Sequence, residues 1–294
     1  EVAAAGLGHG RGAAQRRGLL DPSRRPGPRA ACARSVPRLL HFIWLGSPLR
    51  EDHAENILAF ARKNPHWRIM LWADRPPGES AAAQLRLVGH AAGRDTAIGG
   101  GGAVDVRLVA TEEHQFRNRD LIARQRNLAG KSDYMRLEVV FLYGGIYLDT
   151  DSIAVRGFDE YGTLFRWPFV TYDLEEHSDL CNCVFGFERL SAFLDFALNA
   201  TREQCLRYRK CGILEGAGPA FLTAAFLRYN RSDIILIHKR HLLHPPSNPQ
   251  GRPLGELGVI MYQTFEANWD EFKGGAGGAE IAWEKASEEK GTSE

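Results

Sequence analysis

One join near the middle of the chain constrains the fold more than any other feature. Lys131-Ser-Asp-Tyr-Met-Arg136 opens a strongly apolar stretch over 131–143, which stops at Gly144-Gly145 and resumes as Ile146-Tyr-Leu-Asp-Thr-Asp151. The long apolar stretch reads as a buried helix, and the glycine pair is a natural helix terminator. The short run at 146–148 reads as a strand. A helix that reverses tightly into a strand is one step of an α/β layered fold, so the rest of the chain must supply the other layers.

It does so by alternation. Strand-like stretches are expected at 38–44, 67–72, 104–109, 184–187 and 234–237, and helices at 51–63, 192–206 and 219–229. This order predicts an α/β fold with a largely parallel sheet, whose ligands would sit beyond the carboxyl ends of the strands. The chain has 294 residues, 44% of them apolar and 25% charged, with a formal net charge of +1. A near-neutral balance of this kind argues against a general nucleic-acid binder. No apolar run approaches the roughly 18 to 20 residues that span a bilayer.

Three segments are expected. Residues 1–35 form an Ala/Gly/Pro leader in which seven arginines face only Glu1 and Asp21. The chain opens on Glu rather than Met, which reads as a fragment or a processed form. The segment 36–272 is the folded domain, and 273–294, opened by Gly274-Gly275-Ala276-Gly277-Gly278, is a flexible tail. The Gly99–Gly102 run is read as a surface loop, and 157–179 as variable loops that would read an acceptor. Of the five cysteines, Cys181-Asn-Cys183 lacks the spacing of a zinc knuckle, and Cys205 and Cys211 could bridge if they flank a helix end. Asn199-Ala-Thr201 and Asn230-Arg-Ser232 are glycosylation triplets.

Chemistry concentrates at the central join. Asp149 and Asp151, two apart where a strand loosens, can converge on one hard cation such as Mn²⁺ or Mg²⁺ that takes further ligands from water and a substrate diphosphate. Asp133 and Arg136 share a helix face and cannot be buried unpaired without cost. The glycine reversal would bring them beside the aspartates. The set suits cleavage of a sugar–diphosphate bond, with an acid and a guanidinium holding sugar hydroxyls. Trp44, ending the first strand, would offer a flat face to a nucleobase. The bland readings are a solvated turn, a surface ion pair and, for Trp44, a core tryptophan; the combination of Asp133, Arg136, Asp149 and Asp151 within some twenty residues, with a two-glycine reversal between, weighs against the first two.

These motifs, Val36-Pro-Arg-Leu-Leu-His-Phe-Ile-Trp-Leu-Gly46, Lys131-Ser-Asp-Tyr-Met-Arg136 and Gly144-Gly-Ile-Tyr-Leu-Asp-Thr-Asp151, resemble the DXD-containing sugar-binding glycosyltransferases of family 32. That group includes Golgi α-mannosyltransferases, sphingolipid mannosyltransferases and relatives of the clostridial glucosylating toxins. The resemblance runs over 36–269. It implies a GT-A fold, a UDP- or GDP-sugar donor, a glycan, lipid or protein acceptor, Mn²⁺ (or Mg²⁺) dependence and retention of anomeric configuration. It also implies a Golgi or other secretory lumen.

By position it makes Asp151 the direct metal ligand and puts Asp149 on ribose or sugar and the metal's water shell. Asp133 and Arg136 become the donor-sugar clamp, with Tyr147 as a further donor contact and Trp44 as the base-stacking residue. Asn182 falls at the start of the strand after the acid pair, Gly218-Pro219 at a helix start near the donor, and Trp269 where a C-terminal tryptophan closes over the diphosphate. One departure stands out: a His pair expected just before that tryptophan is replaced by Met261-Tyr-Gln-Thr-Phe265. Two other readings stay open. One is a non-catalytic nucleotide-sugar or glycan-binding domain. The other is a haloacid-dehalogenase-like phosphatase using Asp149 as nucleophile, a fold that normally carries this motif on its first strand and needs a later Gly-Asp pair not found here.

Overall fold

The structure, a computed structural model, describes residues 35–91, 104–172, 180–208, 216–231, 233–242 and 252–264. In chain order its elements are β1 (Leu39–Trp44), α1 (Glu51–Lys63), β2 (Arg68–Ala73), α2 (Glu79–Ala91), β3 (Val104–Leu108), α3 (Val109–Glu112), α4 (Arg119–Arg124) and α5 (Leu128–Tyr143). Then follow β4 (Gly145–Leu148), β5 (Ser152–Ala154), β6 (Phe169–Tyr172), β7 (Leu180–Phe187), α6 (Ala192–Tyr208), α7 (Pro219–Tyr229), β8 (Ile235–His238), α8 (Lys239–Leu242) and β9 (Met261–Gln263).

The main sheet has seven strands in the order β3-β2-β1-β4-β7-β6-β8, and β5 pairs with β9 in a second, two-stranded sheet. Pairings β1–β2, β1–β4, β2–β3 and β6–β8 are parallel, while β7 runs against both β4 and β6. The sheet is therefore mostly parallel and flanked by helices, the α/β arrangement expected from the sequence.

Period-two alternation along the strands sorts the core into two layers. Leu39, Ile43, Met70, Trp72, Tyr147 and Val170 face one cluster, built with α4, α5, α6 and α7. Leu40, Phe42, Ile69, Leu71, Ile146 and Leu148 face the other, built with α1, α2, Phe158 and Phe165. Helix α5 is buried continuously from Asp133 to Phe141, which explains why its sequence is apolar on nearly every side.

Two corrections to the expected elements matter. The strand expected at 184–187 begins at Leu180, so it carries Cys181 and Asn182 into the sheet. The stretch 157–179 is not simply loop: it holds two short 3-10 turns and β6, which pairs inside the main sheet between β7 and β8. Its short aromatic run Phe169-Val-Thr-Tyr172 fits a buried strand once neighbours cover both faces, which periodicity alone does not reveal. Residues 173–179 of that stretch, the Gly99–Gly102 run, the leader up to 34 and everything from 265 onward lie outside the described residues. The domain boundaries expected at 35 and 273 therefore fall at or beyond the edges of what is described. Among the described residues no helix is long and apolar enough to cross a membrane.

Candidate active site

The central join builds the site by matched lengths. Asn127 caps α5, its side chain accepting from the Gly130 amide at 3.0 Å. From Asp133 to Gly144 the helix rises about 16 Å, and from Gly144 to Asp149 five extended steps return by roughly the same distance. The reversal needs glycine. Gly144 and Gly145 have φ of +67° and +109°, and a Cβ on Gly145 would stand 2.4 Å from the Leu39 carbonyl oxygen. Because side chains alternate along β4, Tyr147 lies on the α5 side, and Asp149 follows it onto that face.

The structure brings Asp133, Arg136, Tyr147, Asp149 and Asn182 together. The Arg136 guanidinium lies 3.1 Å from Asp133 Oδ1 and 3.5 Å from Asp149 Oδ1. Its Nη1 donates to the Asn182 carbonyl oxygen at 2.9 Å and its Nη2 to Ser132 Oγ at 3.1 Å. Its plane covers the Tyr147 ring, 4.5 Å from the centroid. Tyr147 Oη–H donates to Asp149 Oδ1 at 2.6 Å, and Asn182 Nδ2 donates to Asp133 Oδ1 at 2.7 Å. Asp133 and Arg136 are only 7% and 6% exposed, whereas the Asp149 side chain keeps 25% of its surface open. The cluster is thus deep on the helix side and open on the strand side.

Its electrostatics follow from that depth. Burial pushes the Asp133 carboxyl up to about 6, opposed by Arg136 and by the Asn182 hydrogen bond and reinforced by Asp149. Burial also works against the Arg136 charge, but Tyr147, Asp149, Asp133 and Asp151 together hold it firmly protonated. The buried Tyr147 phenol is raised well above its ordinary value, burial again leading, so it stays a hydrogen-bond donor.

Asn182 reaches the cluster through an irregularity. Val170 pairs with Phe185 but Thr171 pairs with Cys181, so residues 182–184 bulge from the β6 side of β7. Thr171 Oγ1 donates to the Val184 carbonyl oxygen at 3.1 Å, and the Asp149 amide donates to the Cys183 carbonyl oxygen at 3.1 Å. A bulge re-aims a side chain, here Asn182 toward Asp133. Cys181 and Cys183 are joined in a disulfide across it, and Cys205 is also disulfide-bonded. Cys211 lies outside the described residues.

The second acid sits in a separate clamp. Asp151, 8% exposed, accepts at Oδ1 from Gln263 Nε2 at 2.9 Å, and the same Nε2 donates to Asp149 Oδ2 at 3.1 Å. Strand register delivers the glutamine, since β5 and β9 pair Ser152 with Gln263. Thr264 fixes the turn, its amide and its hydroxyl both donating to the Asp151 carbonyl oxygen at 3.2 Å. Asn56 Nδ2 on α1 donates to the Thr150 carbonyl oxygen at 3.0 Å. Gln263 was visible in the sequence only as the place where a histidine was missing, and its role depends on a pairing that no local pattern announces.

The remaining predicted residues are placed less directly. Trp44 ends β1 at the same sheet edge as the acids, because His41 pairs with Tyr147. Its Nε1 donates to the Ser47 carbonyl oxygen at 3.0 Å, and its ring lies 4.4 Å from that of His53, leaving it half-buried. Gly218 caps α7 with Pro219 in the first turn, and Thr223 of that helix accepts from the Leu180 amide at 2.8 Å. This ties α7 to the start of β7, two residues before Asn182. Trp269 lies outside the described residues.

The acid pair fits a hard divalent cation. A polarised N–H₂ bridges the two carboxylates where opposite charge is wanted, and Gln263 Oε1 on the same amide is buried without a hydrogen-bond partner. Among the described residues no group of three or more His, Cys, Asp or Glu side chains is disposed to hold a metal ion. Any further protein ligand would therefore be of another type or come from residues beyond the described ones.

Comparison with known proteins finds the following likenesses. Residues 50–164 match the family described as glycosyltransferase sugar-binding region containing DXD motif. The chain is 24% identical over 156 residues to "Subversion of eukaryotic traffic protein A" of Legionella pneumophila, a match spanning 53% of this chain and only 23% of that protein's length. Among solved structures it is similar to the PaToxG glycosyltransferase, with 21% identity, a TM-score of 0.49, and coverage of 67% of this chain and 70% of the other. It is also similar to the UDP-bound glycosyltransferase domain of the YGT toxin, with 11% identity, a TM-score of 0.46, and coverage of 69% and 80%. The matched region, residues 50–164, contains the whole helix–glycine–strand–acid join and is similar to the DXD-containing sugar-binding region of glycosyltransferases.

Proposed function

We propose that this protein is a metal-dependent, retaining glycosyltransferase that moves a sugar from a nucleotide-sugar donor to a hydroxyl acceptor. One observation carries the reading: Asp133, Arg136, Tyr147, Asn182 and Asp149 meet within hydrogen-bonding or ion-pair reach at the carboxyl edge of a mostly parallel sheet. Asp149 and Asp151 would hold the divalent cation, which when bound supplies Lewis-acid neutralisation of the leaving diphosphate.

The chain's own groups do the positioning. Arg136, fixed by Asn182 and Ser132 and covering Tyr147, offers a guanidinium whose orientation is already set, so little ordering is left for the donor to supply. Asp133 Oδ1 is committed to Asn182 and Arg136, which turns its carboxylate toward a fixed acceptor direction for a sugar hydroxyl. Trp44, level with the acid turn, would stack on the base. No side chain of the cluster is free to act as a nucleophile. The acceptor hydroxyl would therefore attack from the face the leaving group departs, giving its proton to the departing phosphate oxygen.

The test is incubation of the full chain with a panel of UDP- and GDP-sugars with and without Mn²⁺, reading free nucleotide. Mn²⁺-dependent release from one sugar is expected. Tight UDP or GDP binding with no release from any donor over long incubation would leave a binding domain instead.

A further inference from the structure

Gln263 holds an unusual place. Its Nε2 is shared between Asp149 Oδ2 and Asp151 Oδ1, while its Oε1 is buried with no hydrogen-bond partner among the described residues. A buried acceptor left unpaired is costly, so the amide's present orientation is a compromise in which the two carboxylates take the donor side. The backbone around it is held independently of that amide. The β5–β9 pairing fixes Gln263 opposite Ser152, and Thr264 anchors the next residue to the Asp151 carbonyl. With the backbone held, rotation about the terminal torsion alone is enough to exchange which atom faces the acids, and that torsion is broad and roughly two-fold.

The two orientations suit two states. With no cation, an N–H₂ between two carboxylates is favourable and a carbonyl oxygen there would be repelled. With a divalent cation between them, the donor is repelled, and the carbonyl oxygen is the neutral hard ligand that Mn²⁺ and Mg²⁺ accept. We infer that Gln263 is a ligand of the cation held by Asp149 and Asp151, its amide reversing as the cation enters. This inference rests on the metal-dependent reading above. It gives the residue standing in place of an expected histidine a different route to the same ion. The reversal moves Oε1 from a place with no donor to one with a cation.

The experiment titrates the full chain with Mn²⁺ alone, then with Mn²⁺ in the presence of UDP, by calorimetry. Parent, Gln263→Leu and Gln263→Glu are compared, and thermal melts are recorded for each with and without Mn²⁺. Gln263→Leu is expected to weaken Mn²⁺ about tenfold. Gln263→Glu, which converges three carboxylates, is expected to bind Mn²⁺ more tightly and to melt lower than the parent without the ion, with Mn²⁺ restoring the difference. Equal or tighter Mn²⁺ binding by Gln263→Leu overturns the inference and makes the residue a latch that competes with the ion, while metal dependence itself stands. If Gln263→Leu does not fold, Gln263→Glu decides: unchanged or weaker Mn²⁺ uptake by a folded protein overturns it. No Mn²⁺ uptake by the parent, with or without UDP, removes the metal reading and this inference together.

Discussion

Helix α5 buries two carboxylates five residues apart, and they are used in opposite ways. Glu138 is fully enclosed, its Oε1 accepting from the Asn118 amide at 2.7 Å and its Oε2 from the Arg117 amide at 3.1 Å. Every partner belongs to the backbone just ahead of α4, so the acid substitutes for missing secondary structure. Asp133 instead accepts from Asn182 and faces Arg136, and through that guanidinium it is linked to Asp149 at the open sheet edge. His41 belongs with Glu138: fully buried, it donates from Nε2 to the Gly144 carbonyl oxygen at 2.8 Å and accepts at Nδ1 from Trp72 Nε1 at 3.1 Å. Those bonds fix it as one neutral tautomer with no valence left over. Glu138 and His41, which serve the fold, close their hydrogen bonds internally. In the site, charges are gathered in excess of their local partners, and one acceptor is left unpaired.

Substitutions can break or sharpen this contrast. The largest effect is expected at the open end: Asp151→Asn should cut Mn²⁺-dependent donor turnover by about 10³-fold, with the melting temperature near that of the parent. Full turnover in that variant would remove Asp151 from the metal site. Glu138→Leu should do the reverse, losing about 3 kcal/mol of stability because two backbone amides are left unpaired. Its folded fraction should keep the parent's nucleotide affinity. Urea midpoints and UDP titration separate the two outcomes, and a parent-like midpoint would show that the enclosed acid is dispensable.

The next prediction uses pH. Burial lowers folded His41 from its ordinary 6.5 to about 4, so its contribution is complete above 6.5 and lost as pH falls through that window. The loss is up to about 3 kcal/mol. Asp133 works the other way: its carboxyl is raised to about 6 by burial, so its contribution is complete below its ordinary value and lost as pH rises toward 6. Asp133→Asn should therefore steepen the acid loss of stability, since the opposing titration is gone. A slope unchanged between pH 4 and 6 would mean that Asp133 does not titrate there. The smallest effect is expected for Arg136→Lys, which keeps the charge but loses the forked donation to Asn182 and Ser132. UDP-sugar binding should weaken about tenfold, some 1.4 kcal/mol, while UDP binding changes little. Equal losses for UDP and UDP-sugar would move Arg136 from the sugar to the nucleotide.

Much of the clamp was legible in the sequence because it is local. Asp133, Arg136, Tyr147, Asp149 and Asp151 lie within 19 residues, and the glycine pair between them dictates the reversal. Asn182 was marked by resemblance, but the bulge that aims it depends on how β6 and β7 pair, and β6 itself was hidden in a stretch read as loop. Gln263 was read as an absence. A glutamine in a short mixed run carries no periodic signal, and its meaning came only when β9 was found beside the acid turn.

The sequence alone determined the alternation of helices and strands around the central join, the tight reversal at Gly144-Gly145, and the comparable helix rise and strand return that bring Asp133 near Asp149. Each follows from hydrophobic period, glycine's freedom at positive φ and fixed rise per residue, which act over neighbouring residues. Tertiary structure decided which far-off polar groups complete the cluster: Asn182, 49 residues from Asp133, and Gln263, 112 residues from Asp151. Those partners are chosen by strand register, which depends on the packing of the whole sheet, and a shift of one residue would turn either side chain to the opposite face.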